Sequence, residues 1–157
     1  WFGVDRAKSG RAFDDDFLEA GFKFHMNDIA AAIGLAQLED LPKILQRRRD
    51  IAHHFEKELV NFQHQQSSYN CQSAYWLFSL LVENRREWIN KLDKEGIDAS
   101  PVHFRNDQYT AFTECTLGKD TLCNTDTFNN QVLCIPVGEW LSDNDVEKIV
   151  TVLKKIS

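Results

Sequence analysis

From position 27 onward the apolar residues recur with a helical period. Asn27 or Asp28 stands where a helix cap belongs, Ile29, Ile33, Ala36 and Leu41 follow near a 3.6 spacing, and Ala30, Ala31 and Ala32 add propensity. Pro42 suits the first turn of a second helix running to about Leu59, with Ile44, Leu45, Ile51, Ala52, Phe55 and Leu59 on one stripe. The two helices are expected to meet at a bend. Residues 61 to 72 are polar and predict a surface connection. Tyr75 to Val82 predicts a strand with Trp76, Phe78, Leu80 and Val82 alternating onto one buried side. Asn84 then predicts a cap, Trp88, Ile89 and Leu92 the inner face of a helix, and Gly96 its left-handed end. Ile97 to Phe104 predicts a second strand, 105 to 130 irregular chain, and Val132 to Pro136 a short apolar strand. Ser142 with Asp145 three residues on opens a capped last helix carrying Val146, Ile149, Val150 and Leu153. The first 20 residues, which include Asp14, Asp15 and Asp16, have no period and predict an extended lead-in.

Strands joined by helices that can cover one face of a sheet predict a two-layer α+β domain. With 157 residues, 43% of them apolar and 27% charged, the chain suits one globular domain, and such a chain buries roughly 68–70% of its unfolded surface. No apolar run approaches the ~20 residues of a membrane helix, so a membrane partner is not expected. The 18 basic residues are outnumbered by 24 acidic ones, for a net charge of -6, which fits a nucleic-acid surface poorly. Arg47, Arg48 and Arg49 point about 100° apart on a helix and form no single basic face, so solvated charge is expected there.

His25, His53, His54, His64 and His103 are scattered, and His53 and His54 face different ways on a helix, so no metal is expected. Cys71, Cys115, Cys123 and Cys134 match neither zinc spacing nor a disulfide framework and predict reduced, mostly buried thiols. No nucleophile elbow, GxGxxG turn or Walker loop occurs. The chain opens on Trp1 and its one methionine is Met26, so a piece of a longer protein is expected.

The segment GFKFHMNDIAAAIGLAQL at 21 to 38 resembles the signature that follows the cofactor lysine in the DegT/DnrJ/EryC1/StrS family of sugar aminotransferases. LEDLPKILQRRRDIAHHFEKEL, SAYWLFSLLV at 73 to 82, EGIDASPVHFRND at 95 to 107 and CIPVGEWLSDNDVEKIV at 134 to 150 follow in the family's order, so the resemblance covers essentially the whole chain. It implies the small C-terminal α+β domain of a fold-type-I enzyme, preceded by a long helix pair. The divisions it implies are a lid-like lead-in at 1–20, an interdomain and dimer region at 21–60, and the C-terminal domain at 61–157. It also implies a cytoplasmic homodimer that uses pyridoxal phosphate to move an amino group from glutamate onto a nucleotide-linked keto sugar, in pathways such as surface polysaccharide synthesis.

By the same resemblance the lysine that carries the cofactor is expected upstream of Trp1, which leaves the isolated chain without transaminase activity. His25 takes the position that reaches the partner subunit's cofactor phosphate, where relatives commonly carry Asn or Arg, and Lys23 lies two residues earlier. A histidine can donate to a phosphate and is a cation near neutral pH. The plain structural readings stay open: His25 capping local backbone, and Lys23 solvated. His103 and Arg105 match the family's stretch near the sugar-nucleotide mouth, where a guanidinium suits a diphosphate; both residues merely rimming a sheet is the other reading. Two alternative functions share the fold: a sugar-nucleotide sensor that has lost its chemistry, and an assembly module that pairs chains.

Overall fold

The structure is a computed structural model that describes residues 26–103, 105–112 and 122–157. The chain divides into two units, Trp1–Leu41 and Pro42–Ser157. In the first, Asn27 starts helix α1 (Asp28–Glu58): its side-chain oxygen accepts from the Ala30 N–H at 2.8 Å, and its carbonyl accepts from the Ala31 N–H at 3.0 Å. Such a cap contributes about 1 kcal/mol. Ile29 and Ile33 stand exposed.

The expected break at Pro42 does not occur. α1 is one 31-residue helix with Pro42 inside it, although the boundary between the two units falls at this residue. A proline within a helix costs about 3 kcal/mol in a lost donor and a ring clash. Strong helix formers on both sides, including Leu38, Glu39, Lys43, Leu45 and Gln46, carry the helix through.

The second unit holds a three-stranded antiparallel sheet in the order β1 (Gln63–His64), β2 (Leu77–Leu81), β3 (Val132–Pro136). Phe78 lies opposite Ile135 and Leu80 opposite Leu133, so the two-residue period puts all four on one face. That face meets Ile51, Ala52 and Phe55 of α1, Leu92 of α2 (Arg85–Lys94) and Val146, Ile149, Val150 and Leu153 of α4 (Asp143–Ile156) in a single core. Phe55 and Phe78 pack edge to face with centroids 5.5 Å apart. Helices over one face of a sheet make the two-layer α+β domain that the pattern predicts.

The last helix begins as expected. The Asp145 N–H donates to Ser142 Oγ at 3.2 Å and the Ser142 N–H to Asp145 Oδ2 at 2.9 Å, a reciprocal capping box. α2 ends on Gly96 at φ 72°, with the Gly96 N–H donating to the Asp93 carbonyl and the Ile97 N–H to that of Leu92. At the start of α2, Asn84 makes no side-chain cap; its own backbone is left-handed and its carbonyl accepts from the Glu87 N–H.

Four further expectations are corrected. No strand covers the described part of 97–104: only Ser100 pairs, with Cys134, because Pro101 has no N–H and Val102 turns to φ 61°. The stretch from 105 to 130 contains 3₁₀ turns at Asn106–Gln108 and Thr110–Phe112 and helix α3 (Cys123–Gln131). Trp76 lies before the strand starts and is 62% exposed rather than in the core. Of the described cysteines only Cys134 is buried, while Cys71 and Cys123 are exposed; Cys115 lies outside the described residues.

Candidate functional site

The sheet's other face carries Leu77, Ser79, Val132 and Cys134 and is not covered by the core helices. These residues floor a cleft of about 440 Å³. Trp76 and Tyr75 form one wall, Pro101 to His103 and Arg105 another, and Thr125, Phe128 and Asn129, one face of α3, the third.

The α3 sequence, CNTDTFNNQ, is poor in strong helix formers, and tertiary bonds hold the helix in place. Arg105 pairs with Asp126 in its first turn. Arg85 donates to the carbonyls of Asn129 and, at 3.2 Å, Val132, where the helix joins β3. Arg105 also forks onto Asp107, with Nε donating at 2.8 Å. The hydrogen bonds that Arg105 donates to the Asp107 carboxylate hold the guanidinium more firmly protonated than an ordinary arginine.

Two residues lining this cleft have a backbone that bulky side chains avoid: Tyr75 at φ 43° and Val102 at φ 61°. Each such position costs of order 1–3 kcal/mol and persists only where its surroundings over-determine it. At Val102 the His103 N–H donates to the Pro101 carbonyl at 2.7 Å, closing a γ-turn. At Tyr75 the backbone N–H donates to Ser73 Oγ at 3.0 Å and the hydroxyl to Glu56 at 3.0 Å, while Arg49 donates to the Ser73 carbonyl at 3.1 Å. Burial pushes the Tyr75 hydroxyl's pKa up. Each strained residue directly precedes an aromatic ring, and those rings, Trp76 and His103, lie 5.8 Å apart in the cleft.

His103 and Arg105, both expected at a ligand mouth, are therefore brought together in one cleft. His103 is exposed, whereas the Arg105 side chain is only 10% exposed and faces two carboxylates. His25 and Lys23 lie outside the described residues. The alternation of the strand hid Trp76 by assigning it to the core, and nothing in the pattern marked Tyr75 or Phe128. The run Arg47 to Arg49 is not solvated charge: Arg47 pairs with Asp143 at 2.8 Å, Arg48 with Glu139 at 3.3 Å, and Arg49 holds Ser73.

Pyridoxal phosphate needs a lysine amine for its aldehyde and unspent donors for its phosphate. Among the described residues no lysine lines the cleft, and its one arginine is engaged by two aspartates, so these residues do not fit the cofactor here. No group of histidine, cysteine, aspartate and glutamate able to hold a metal occurs among the described residues, and none of their helices is long and apolar enough to cross a membrane.

The sequence profile of the DegT/DnrJ/EryC1/StrS aminotransferase family matches residues 1–154. The sugar aminotransferase CalS13 from Micromonospora echinospora is 33% identical, with a TM-score of 0.87 over 99% of this chain and 42% of its own. AtS13 from Actinomadura melliaura is 30% identical, with a TM-score of 0.85 over the same shares. An uncharacterized protein of Methanocaldococcus jannaschii, MJ1066, is 29% identical over 152 residues, 90% of this chain and 39% of the relative. The chain thus spans about two fifths of the length of these relatives. A match that runs from the first residue to near the last, with the same fold in two proteins at or above 30% identity, places this chain in the DegT/DnrJ/EryC1/StrS aminotransferase family.

Proposed function

We propose that the chain is the C-terminal part of a pyridoxal-phosphate-dependent aminotransferase that moves an amino group from glutamate onto a nucleotide-linked keto sugar. The match to the family over residues 1–154 carries this reading. The likeness to CalS13, a sugar aminotransferase by name, supports the sugar as substrate. In this reading the cofactor and its lysine belong to a larger domain of the parent. The 157-residue chain neither retains the cofactor nor transaminates, and the parent is a cytoplasmic homodimer serving polysaccharide or modified-sugar synthesis. Segment 1–20 serves as a lid, 21–60 as the interdomain and dimer region, and 61–157 as the C-terminal domain.

His25 and Lys23 then supply positive charge to the cofactor phosphate across the dimer, His25 with a pH dependence that Asn or Arg lacks. His103 and Arg105 face the nucleotide end of the substrate. Arg105 meets a diphosphate by exchanging an aspartate for it, because Asp107 and Asp126 hold its donors in the structure.

The test is spectroscopic and kinetic. A protein carrying the upstream region together with this chain is expected to show the absorbance of lysine-bound pyridoxal phosphate and glutamate-dependent amination of a nucleotide-linked keto sugar. Absence of both sinks the reading. Turnover by the 157-residue chain alone overturns the assignment of the catalytic lysine to the rest of the parent.

A further inference from the structure

Helix α3 is not built to stand alone. It has 9 residues, fewer than the ~12–15 at which even alanine-rich helices hold together in water, and Asn124, Thr125, Asp126, Thr127, Asn129 and Asn130 all lower its propensity. None of its side chains is buried, and Leu122 gives it no side-chain cap. Its two ends are tied differently. At the C-terminal end the backbone is built into the sheet: the Val82 N–H donates to the Gln131 carbonyl at 3.0 Å, Arg85 donates to the carbonyls of Asn129 and Val132, and Val132 pairs with Leu81. At the N-terminal end the tie among the described residues is the ion pair from Arg105 to Asp126.

The guanidinium divides its donors between two aspartates. Nε and Nη2 fork onto Asp107, two residues along the same loop, and Nη1 alone reaches across to Asp126. A fork of two parallel bonds is harder to exchange than a single bond. The Asp126 side chain is also the more open of the two, 54% exposed against 34% for Asp107. Arg105 lines the cleft and is itself nearly buried, so its charge needs an anionic partner whichever group supplies it. An oxyanion entering the cleft therefore competes with Asp126 for Nη1, and the outcome decides whether the first turn of α3 stays tied. A segment with so few buried contacts is of the kind that opens locally while the core stays folded.

We propose that Asp126 is a built-in competitor at Arg105: its carboxylate latches α3 against the cleft, and a phosphate-type oxyanion that takes Nη1 frees the first turns of α3 while Arg85 and the sheet hold the last. The contact is autoinhibitory, because the wall that carries Thr125 and Phe128 stays closed until a ligand of the right charge opens it. The latch rests on the reading above in which Arg105 meets a diphosphate; Asp126 is the carboxylate that gives way, and α3 is the element that moves.

The experiment is backbone hydrogen exchange of the 157-residue chain, followed by nuclear magnetic resonance at residues 127–131, with and without pyrophosphate at matched ionic strength. The amides of Phe78 and Leu133 report that the core is folded, and the Arg105 Nε–H reports binding. Asp126→Ala and Arg105→Gln are each expected to speed exchange in α3 roughly three- to tenfold, although alanine is the better helix former, and the double variant no further than either alone. Pyrophosphate is expected to shift the Arg105 Nε–H saturably and to speed α3 exchange in wild type, to bind Asp126→Ala roughly three- to tenfold more tightly, and to leave exchange in Arg105→Gln as it was. Unchanged α3 exchange in both single variants overturns the latch, as do additive effects in the double variant. Pyrophosphate that saturates the Arg105 signal of wild type yet leaves α3 exchanging as slowly as before overturns the release while the diphosphate reading of Arg105 stands. No saturable shift in either wild type or Asp126→Ala overturns that reading, and the release with it.

Discussion

Gly96→Ala tests whether the end of α2 depends on a left-handed backbone or on space. Gly96 sits at φ 72°, and its N–H and that of Ile97 close the helix onto Asp93 and Leu92. A Cβ built at Gly96 meets nothing nearer than Lys148 Nζ at 3.9 Å, an ordinary contact, so sterics contribute little. The cost is then the left-handed conformation of an L-residue, about 1–2 kcal/mol. With a urea slope of about 2 kcal/mol/M, the unfolding midpoint falls by roughly 0.5–1 M. Gly96→Asn is expected to recover part of that loss, because asparagine visits this region more readily. Gly138→Ala is the counter-case: its Cβ would stand 2.3 Å from the Trp140 ring, which is exposed and lies 5.5 Å from Arg48. There the ring swings away and the cost is about the cation–π contact, ~0.5–1 kcal/mol, and Trp140→Ala removes it. Circular dichroism through urea unfolding measures all of these variants. Equal midpoints for wild type, Gly96→Ala and Gly96→Asn would refute the strain argument.

Other expectations follow from single observations. Phe55→Ala empties a fully buried site against Phe78 and is expected to cost about 3–5 kcal/mol, read by urea unfolding and loss of near-ultraviolet dichroism. Asp145 and Glu58 have pKa values below the usual carboxylate range, Asp145 through the Ser142 hydroxyl and backbone N–H, Glu58 through Lys154. The unfolded chain therefore binds these protons first, so their stabilisation is complete above about pH 5 and fades as pH falls through 4 and below. Urea midpoints measured from pH 7 to pH 3 should drop less in Asp145→Asn than in wild type. Thiol alkylation of the folded chain, read by peptide mass spectrometry, should modify Cys71 and Cys123 while Cys134 reacts only after unfolding.

Local chemistry with a fixed spacing was legible in the sequence. Asn27 caps, Ser142 and Asp145 box the last helix, Gly96 stops α2, and Val132–Pro136 is a strand, because each needs only neighbours within a turn. What escaped depends on distant partners. α3 has weak propensity and is held by Arg105 and Arg85, and β1 is two residues long and exists only by pairing with Leu80 and Leu81. His103 and Arg105 were placed at a ligand mouth by family resemblance, and they do share a cleft. Trp76 was hidden because a period-two pattern does not tell where a strand begins, and the left-handed backbone at Tyr75 leaves no trace in hydropathy.

The C-terminal half of α1 explains why that strain persists. Ile51 and Phe55, with Leu59 one residue past the helix end, are spaced by four and bury one stripe in the core. Arg49, His53 and Glu56 follow a second stripe at spacings of four and three, and all three meet the same corner: Arg49 the Ser73 carbonyl, His53 the Tyr75 ring at 6.3 Å, Glu56 the Tyr75 hydroxyl. Arg47 and His54 form a third, facing the start of α4, where Arg47 takes the Leu141 carbonyl at 2.7 Å. His54 Nε2 lies 2.9 Å from Glu147, within ion-pair reach but not aligned as a hydrogen bond. Adjacent arginines that cannot form one basic face are thus suited to bracing separate loops, since the 100° step that divides them directs each to a different neighbour. The corner that turns Trp76 outward is consequently built on the same rigid helix that anchors the core, and the cleft inherits its geometry from that packing.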